Sequence, residues 1–122
     1  MPISQRFLPP IAKGHRIFYG DVEVVGIQHH RDEAISFIKG KDHEIVLELE
    51  PRNKFDPNAI IVFGTNKGFF GRKTKKVGYI PAEVSKTIAE QSMFSQIAPR
   101  LRNIYMSDDG FCNIKLDLIG PK

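Results

Sequence analysis

The apolar residues of this chain are gathered into strand-length runs separated by turn formers, and that punctuation limits the fold more than any other feature. The longest apolar runs, Ala59-Ile60-Ile61-Val62-Phe63 among them, have the length of a strand. None approaches the ~20 residues needed to cross a bilayer. Val22-x-Val24-Val25-x-Ile27 is β-branched and strand-like, with Gly20-Asp21 as a turn before it. His29 to Glu33 then break the pattern, and Ala34 to Ile38 is a short apolar stretch whose state the pattern leaves open. From Glu44 to Glu50, Ile45, Leu47 and Leu49 alternate with Glu44, Glu48 and Glu50, as in a strand with one buried face. Lys76 to Ile80 predicts another strand. Ile97 to Met106 and Phe111 to Ile119 predict two more, joined by a Ser107-Asp108-Asp109-Gly110 turn. In the last, Ile114, Leu116 and Leu118 alternate with Asn113, Lys115 and Asp117.

One helix interrupts this series. Pro81 suits a first helical turn, where its missing N–H would have no partner anyway. Val84, Ile88 and Phe94 then recur on one face, with Lys86, Glu90 and Gln91 outward. Residues 1–14 are Pro-rich and unpatterned and read as an extended N-terminal arm packed down by Phe7, Leu8 and Ile11. Residues 15–122 form the single domain. Its plan is mainly β or α+β: a small barrel-like arrangement of about six strands with one or two helices.

Composition narrows the function classes. Hydrophobic residues make up 41% of the chain, enough for one packed core and too many for a disordered segment. No signal peptide is legible at the N-terminus, where two prolines break the only apolar stretch, so the expected location is the cytoplasm. The single cysteine, Cys112, excludes a disulfide framework and a Cys-rich zinc site. His29 and His30, placed on a strand, would point to opposite faces, and no metal-ligand spacing or nucleophile motif supports catalysis. No cofactor is expected, and a catalytic role is not. Lys and Arg outnumber Asp and Glu by 18 to 14, and the excess is concentrated. Lys67, Arg72, Lys73, Lys75 and Lys76 fall in one acid-free segment with Phe69 and Phe70 among them. Gly64 to Lys75 reads as a long glycine-rich connection that carries this basic loop.

Pro51 to Asn58 is a loop by composition, with two prolines, two asparagines and one aspartate. Two readings of it stand side by side. Asp56-Pro57-Asn58 is an Asx-type turn with Phe55 in the core, or the loop faces a ligand with Phe55 and Asp56 exposed to it.

The string Leu49-Glu50-Pro51-x-Asn53-x-Phe55-Asp56-Pro57-Asn58-Ala59-Ile60-x-Val62 resembles the signature of the HIRAN domain family. Val25-Gly26 before it and Lys76-Val77-Gly78-Tyr79-Ile80-Pro81 after it match as well, and the resemblance runs from about Val22 to Ile88, more weakly through Phe111 to Gly120. It implies an OB-like, partly open barrel and binding of single-stranded DNA at a free 3′-hydroxyl end, in DNA repair or processing. It also implies a helicase or nuclease as a partner, here in trans. The residues suit that role. Asp56 can accept a hydrogen bond from a terminal hydroxyl and would repel a terminal phosphate. Phe55 offers a ring on which a base can stack, and Asn53 can position the strand.

The chain departs from the family around that loop. DNA-binding relatives carry an arginine and a tyrosine two and three residues after the Gly26 position, where this chain has Gln28 and His29. Phe55 stands for a tyrosine and Tyr79 for a histidine. A family lysine early in the helix falls at Ala82, with Lys86 one turn on, and Phe111 lies about where a stacking phenylalanine occurs. The expectation is an intact end-reading pair, Asn53 and Asp56, with an altered grip on the strand that the basic loop offsets. The competing expectation is a protein-interaction module using Phe69 and Phe70.

Overall fold

A computed structural model describes residues 1–68 and 71–122. Among them are seven strands: β1 (Ile3–Arg6), β2 (His15–Glu23), β3 (Glu44–Leu49), β4 (Ile60–Gly68), β5 (Gly71–Tyr79), β6 (Ala98–Met106) and β7 (Cys112–Pro121). Two helices, α1 (Arg31–Lys39) and α2 (Ala82–Glu90), and two short 3-10 turns complete the set. One antiparallel sheet has the order β1-β6-β7-β2 and the other β3-β4-β5. Within residues 1–14 the β1 segment joins the first sheet beside β6, with Ile3 opposite Met106, and Phe7 packs against the core.

The sheets do not close into a barrel, but the chain stitches them together at one corner. The Val24 N–H donates to the Ile114 carbonyl of the first sheet, and the next residue, Val25, exchanges both backbone bonds with Tyr79 of the second, each at 2.9 Å. Gly78 permits this approach. A Cβ there would lie 2.4 Å from the Val25 carbonyl oxygen, inside van der Waals contact. Inward-facing side chains of both sheets, among them Ile60, Val62, Val77, Ile104, Ile114 and Leu116, are fully buried and make one core.

Several expectations need correction. Ala34 to Ile38 lies in α1, whose buried residues Ala34, Phe37 and Ile38 fall at helical spacing, with Asp32 and Glu33 in the first turn and Lys39 in the last. His29 and His30 sit in the 3-10 turn Ile27–His30 rather than on a strand, so the face alternation of a strand does not govern them. Gly20-Asp21 is no turn: it interrupts the β2–β7 register as a bulge, with Asp21 at a φ of 56°. The described residues of the glycine-rich connection from Gly64 to Lys75 are antiparallel strand rather than loop, with Thr65 opposite Thr74 and Gly68 opposite Gly71. Gly64 is there because the Phe37 ring lies on its backbone, where a Cβ would be 2.5 Å from Cδ1.

Phe94 is not on the face of α2, which ends at Glu90. Ser92 takes a φ of 52°, and the Ser92 and Met93 N–H groups return to the Ala89 and Ile88 carbonyls in a Schellman cap. In β3, Ile45 and Leu47 pack on the core, while Leu49 faces solvent. Asp117, assigned by alternation to the solvated face of β7, is fully buried. It accepts from Arg100 Nη1 at 2.7 Å, Arg102 Nη1 at 3.2 Å and the Asp21 N–H at 2.9 Å, so the bulge aims a donor at a buried anion.

Candidate nucleic-acid interface

The loop between β3 and β4 is rigid for local reasons. Asn53 Oδ1 accepts the N–H groups of Phe55 and Asp56, each at 2.9 Å, and Asp56 Oδ1 accepts that of Asn58 at 2.9 Å. The Asx turn is therefore present. Phe55 is not in the core: it is 96% exposed, so the loop holds a bare aromatic ring over a fixed backbone.

That loop is anchored by Glu50. Its Oε1 accepts Asn53 Nδ2 and the Tyr79 hydroxyl, both at 2.7 Å. Lys76 Nζ donates to the Tyr79 oxygen at 2.6 Å and reaches Glu50 Oε2 at 3.4 Å. The hydrogen bonds from Asn53 and Tyr79, and then the Lys76 charge, hold the Glu50 carboxyl below its ordinary range against the opposing effect of burial. The Lys76 ammonium is raised, first by Tyr79. Burial, and then the Lys76 charge, lower the neighbouring His30 imidazole.

From Tyr79 the surface continues to Gly26, which takes a φ of 75° and where a Cβ would lie 3.9 Å from Tyr79 Cδ2. Beyond it opens a cleft of about 450 Å³ whose walls include Val24, Gly26, Gln28, Arg31, Gly110 and Phe111. Phe111 is 60% exposed, its ring 6.5 Å from that of Tyr105.

The structure thus places Asn53, Phe55, Asp56 and Tyr79 around one network and Gln28 and Phe111 in one cleft, with Gly26 between them. His29 is exposed in the 3-10 turn, its N–H on the Gly26 carbonyl. Lys86 lies apart on the outer face of α2, 3.9 Å from Glu90. Lys67 lies on β4 and Arg72, Lys73, Lys75 and Lys76 on β5, not on a loop, and three of the five have side-chain partners. Arg72 forms a forked pair with Glu44, Lys75 donates to Ser36 Oγ at 2.7 Å, and Lys76 belongs to the Glu50 network. Phe69 and Phe70 lie outside the described residues.

Sequence reasoning missed Glu50 and Arg31 as site residues. Glu50 stands in the quoted string, at the point where alternation ends, which is a usable signal. Arg31 has none, because its partners lie 78 and 79 residues away. Among the described residues no group of three or more His, Cys, Asp or Glu is placed to hold a metal. No described helix is long and apolar enough to cross a membrane.

Comparison with curated proteins finds no match. Among solved structures the chain is similar to the crystal structure of the HIRAN domain of human HLTF, with 20% identity over 92% of this chain and 84% of that one, at a TM-score of 0.47. The family model described as HIRAN domain matches residues 17–118. That span takes in the anchored loop, the cleft and both sheets apart from β1 and the outer ends of β2 and β7, and the chain belongs to the HIRAN domain family.

Proposed function

We propose that this domain binds single-stranded DNA at a free 3′-hydroxyl end, as a non-catalytic module of DNA repair or processing. The observation that carries this reading is the pairing of Phe55 and Asp56 on one immobilised loop. An exposed ring takes the terminal base, and the adjacent carboxylate accepts from the terminal hydroxyl. Asp56 Oδ1 is engaged with the Asn58 N–H, which fixes the carboxylate and leaves Oδ2 for the ligand. Membership of a family generally linked to DNA binding supports the same reading. Hydrolysis or unwinding would come from a helicase or nuclease acting in trans.

The Asn53 side chain is already committed to Glu50, Phe55 and Asp56. Its role is to shape the loop, with one amide hydrogen left for a phosphate. Tyr79 is likewise a support, while Gln28, His29 and Phe111 would carry the strand beyond its end. Of the basic residues on β5, Lys73 has no side-chain hydrogen bond or ion pair among the described residues. The partners of Arg72, Lys75 and Lys76 reduce what those residues can add, and Lys86 stands outside this path.

The test is fluorescence anisotropy with labelled oligonucleotides ending in 3′-hydroxyl or 3′-phosphate, and with blunt duplex. Preference for the 3′-hydroxyl strand is expected, and equal binding to all three would reject end recognition. Asp56→Asn retains the turn-forming Oδ1 and removes the charge, so it should abolish discrimination against 3′-phosphate without loss of folding. Absence of binding to any oligonucleotide would favour a protein-interaction module. For that reading, the exposed Val46 and Leu49 on edge strand β3 are the observation in its favour.

A further inference from the structure

We infer that Arg31 binds a backbone phosphate of a single strand lying in the Gly26–Phe111 cleft. This rests on the nucleic-acid reading above and adds to it a residue at the far end of the path from Phe55. Arg31 is the one basic residue in the wall of that cleft. Its guanidinium is aimed by two bonds across the cleft, from Nε to the Gly110 carbonyl at 3.1 Å and from Nη2 to the Asp109 carbonyl. It lies so close to Gly110 that a Cβ there would be 2.6 Å from Nη2.

Both hydrogen-bond partners are backbone carbonyls, so no carboxylate is bonded to the guanidinium, in contrast to Arg72 and its Glu44 partner. Of the five N–H donors of an arginine, two are used, and the rest of the fork remains for an anion. The floor beneath is apolar, with Val24, Ile27 and Cys112, and Phe111 stands at the rim.

Two carboxylates also line the cleft, and both are turned to neighbours. Glu23 accepts from Asn113 Nδ2, and Asp109 accepts from the Ser107 hydroxyl. They limit the cleft to one phosphate held at Arg31, because a continuous row of phosphates would meet like charge. The ligand is therefore a nucleotide unit, with its phosphate on the guanidinium and its base over the apolar floor.

The experiment measures binding of a labelled 3′-hydroxyl single strand to wild type, Arg31→Gln and Arg31→Lys across a range of salt. Arg31→Gln is expected to weaken binding several-fold and to flatten the salt slope by about 0.7, the contribution of one phosphate on a single strand. Arg31→Lys keeps the charge while losing the forked hold on the turn, so it should keep the slope. Oligonucleotides carrying single neutral methylphosphonate linkages supply a second readout. One position should weaken wild type and leave Arg31→Gln unaffected.

An unchanged slope in Arg31→Gln, or equal loss in Arg31→Gln and Arg31→Lys, overturns the assignment, the latter by reducing Arg31 to a fold clasp. If Arg31→Gln does not fold, the slope of Arg31→Lys and the linkage scan on wild type decide. Wild-type binding without these effects removes Arg31 alone. Failure of wild type to bind any strand removes the proposed function and this inference together.

Discussion

Tyr79 and Glu50, 29 residues apart, meet through a 2.7 Å hydrogen bond from the tyrosine hydroxyl to Oε1. The same Tyr79 supplies the backbone that joins the two sheets at Val25. One residue therefore fixes both the corner of the fold and the loop that carries Phe55. Tyr79→Phe keeps the ring and the backbone bonds and removes one acceptor for Lys76 and one donor to Glu50. The expected loss is about 1–2 kcal/mol in urea unfolding, with faster amide hydrogen exchange at Phe55 and Asp56 than at β4.

Acid should loosen the loop. The Glu50 carboxyl is held below its ordinary value of 4.5 in the folded state. Its contribution is fully present above that value and is lost as pH falls through the lower folded one. Exchange protection of the Phe55 and Asp56 amides should fall in that acid window in wild type. Glu50→Gln should show reduced protection already at neutral pH and little further change on acidification. A wild-type loop as protected in acid as at neutrality would contradict the network's role.

Asp117 is a buried carboxylate held by two arginines. Burial works against its ionised form, but the Asp21 N–H and then Arg100 and Arg102 outweigh it, so its carboxyl lies below the ordinary range. Asp117→Asn leaves two arginines around a neutral amide, one of them only 12% exposed. A loss of about 3–5 kcal/mol is expected, the usual result of removing one partner of a buried pair. Chemical denaturation measures it. The stabilisation by Asp117 persists above its unfolded value and disappears as pH drops through the folded one.

Phe55→Ala separates ligand binding from stability. The ring is 96% exposed, so its removal should move unfolding by less than about 0.5 kcal/mol. If a base stacks there, affinity for a single strand falls by roughly 1–3 kcal/mol. Unchanged affinity in a normally folded variant would remove Phe55 from the site.

Much of this architecture is written locally. β3, β4 and β7 are legible because alternation and apolar runs need no distant partner to be read, and the Ser107–Gly110 turn is legible from its composition. The helix α1 is not, because Ala34, Phe37 and Ile38 offer too short an apolar face to declare a period. The β4–β5 pairing is hidden by Gly64, a breaker in sequence and a seat for the Phe37 ring in space. The site divides the same way. Its loop bonds to itself over two or three residues, so Asn53 and Asp56 stand out in the string. The Tyr79–Glu50 bond and the Arg31 hold on Gly110 span 29 and 79 residues, and no local pattern records either.

Among the described residues, the reciprocal pair of backbone bonds between Val25 and Tyr79 is a narrow seam between the two sheets. The candidate surface crosses that seam, with the Phe55 loop on one side and the Phe111 rim on the other. A strand laid over it would act as a crossbar, so filling the site should resist the first step of opening. At a ligand concentration a hundred times Kd, the gain in resistance to unfolding would be about 2.7 kcal/mol, and a strand too short to reach both banks would leave the seam as it was.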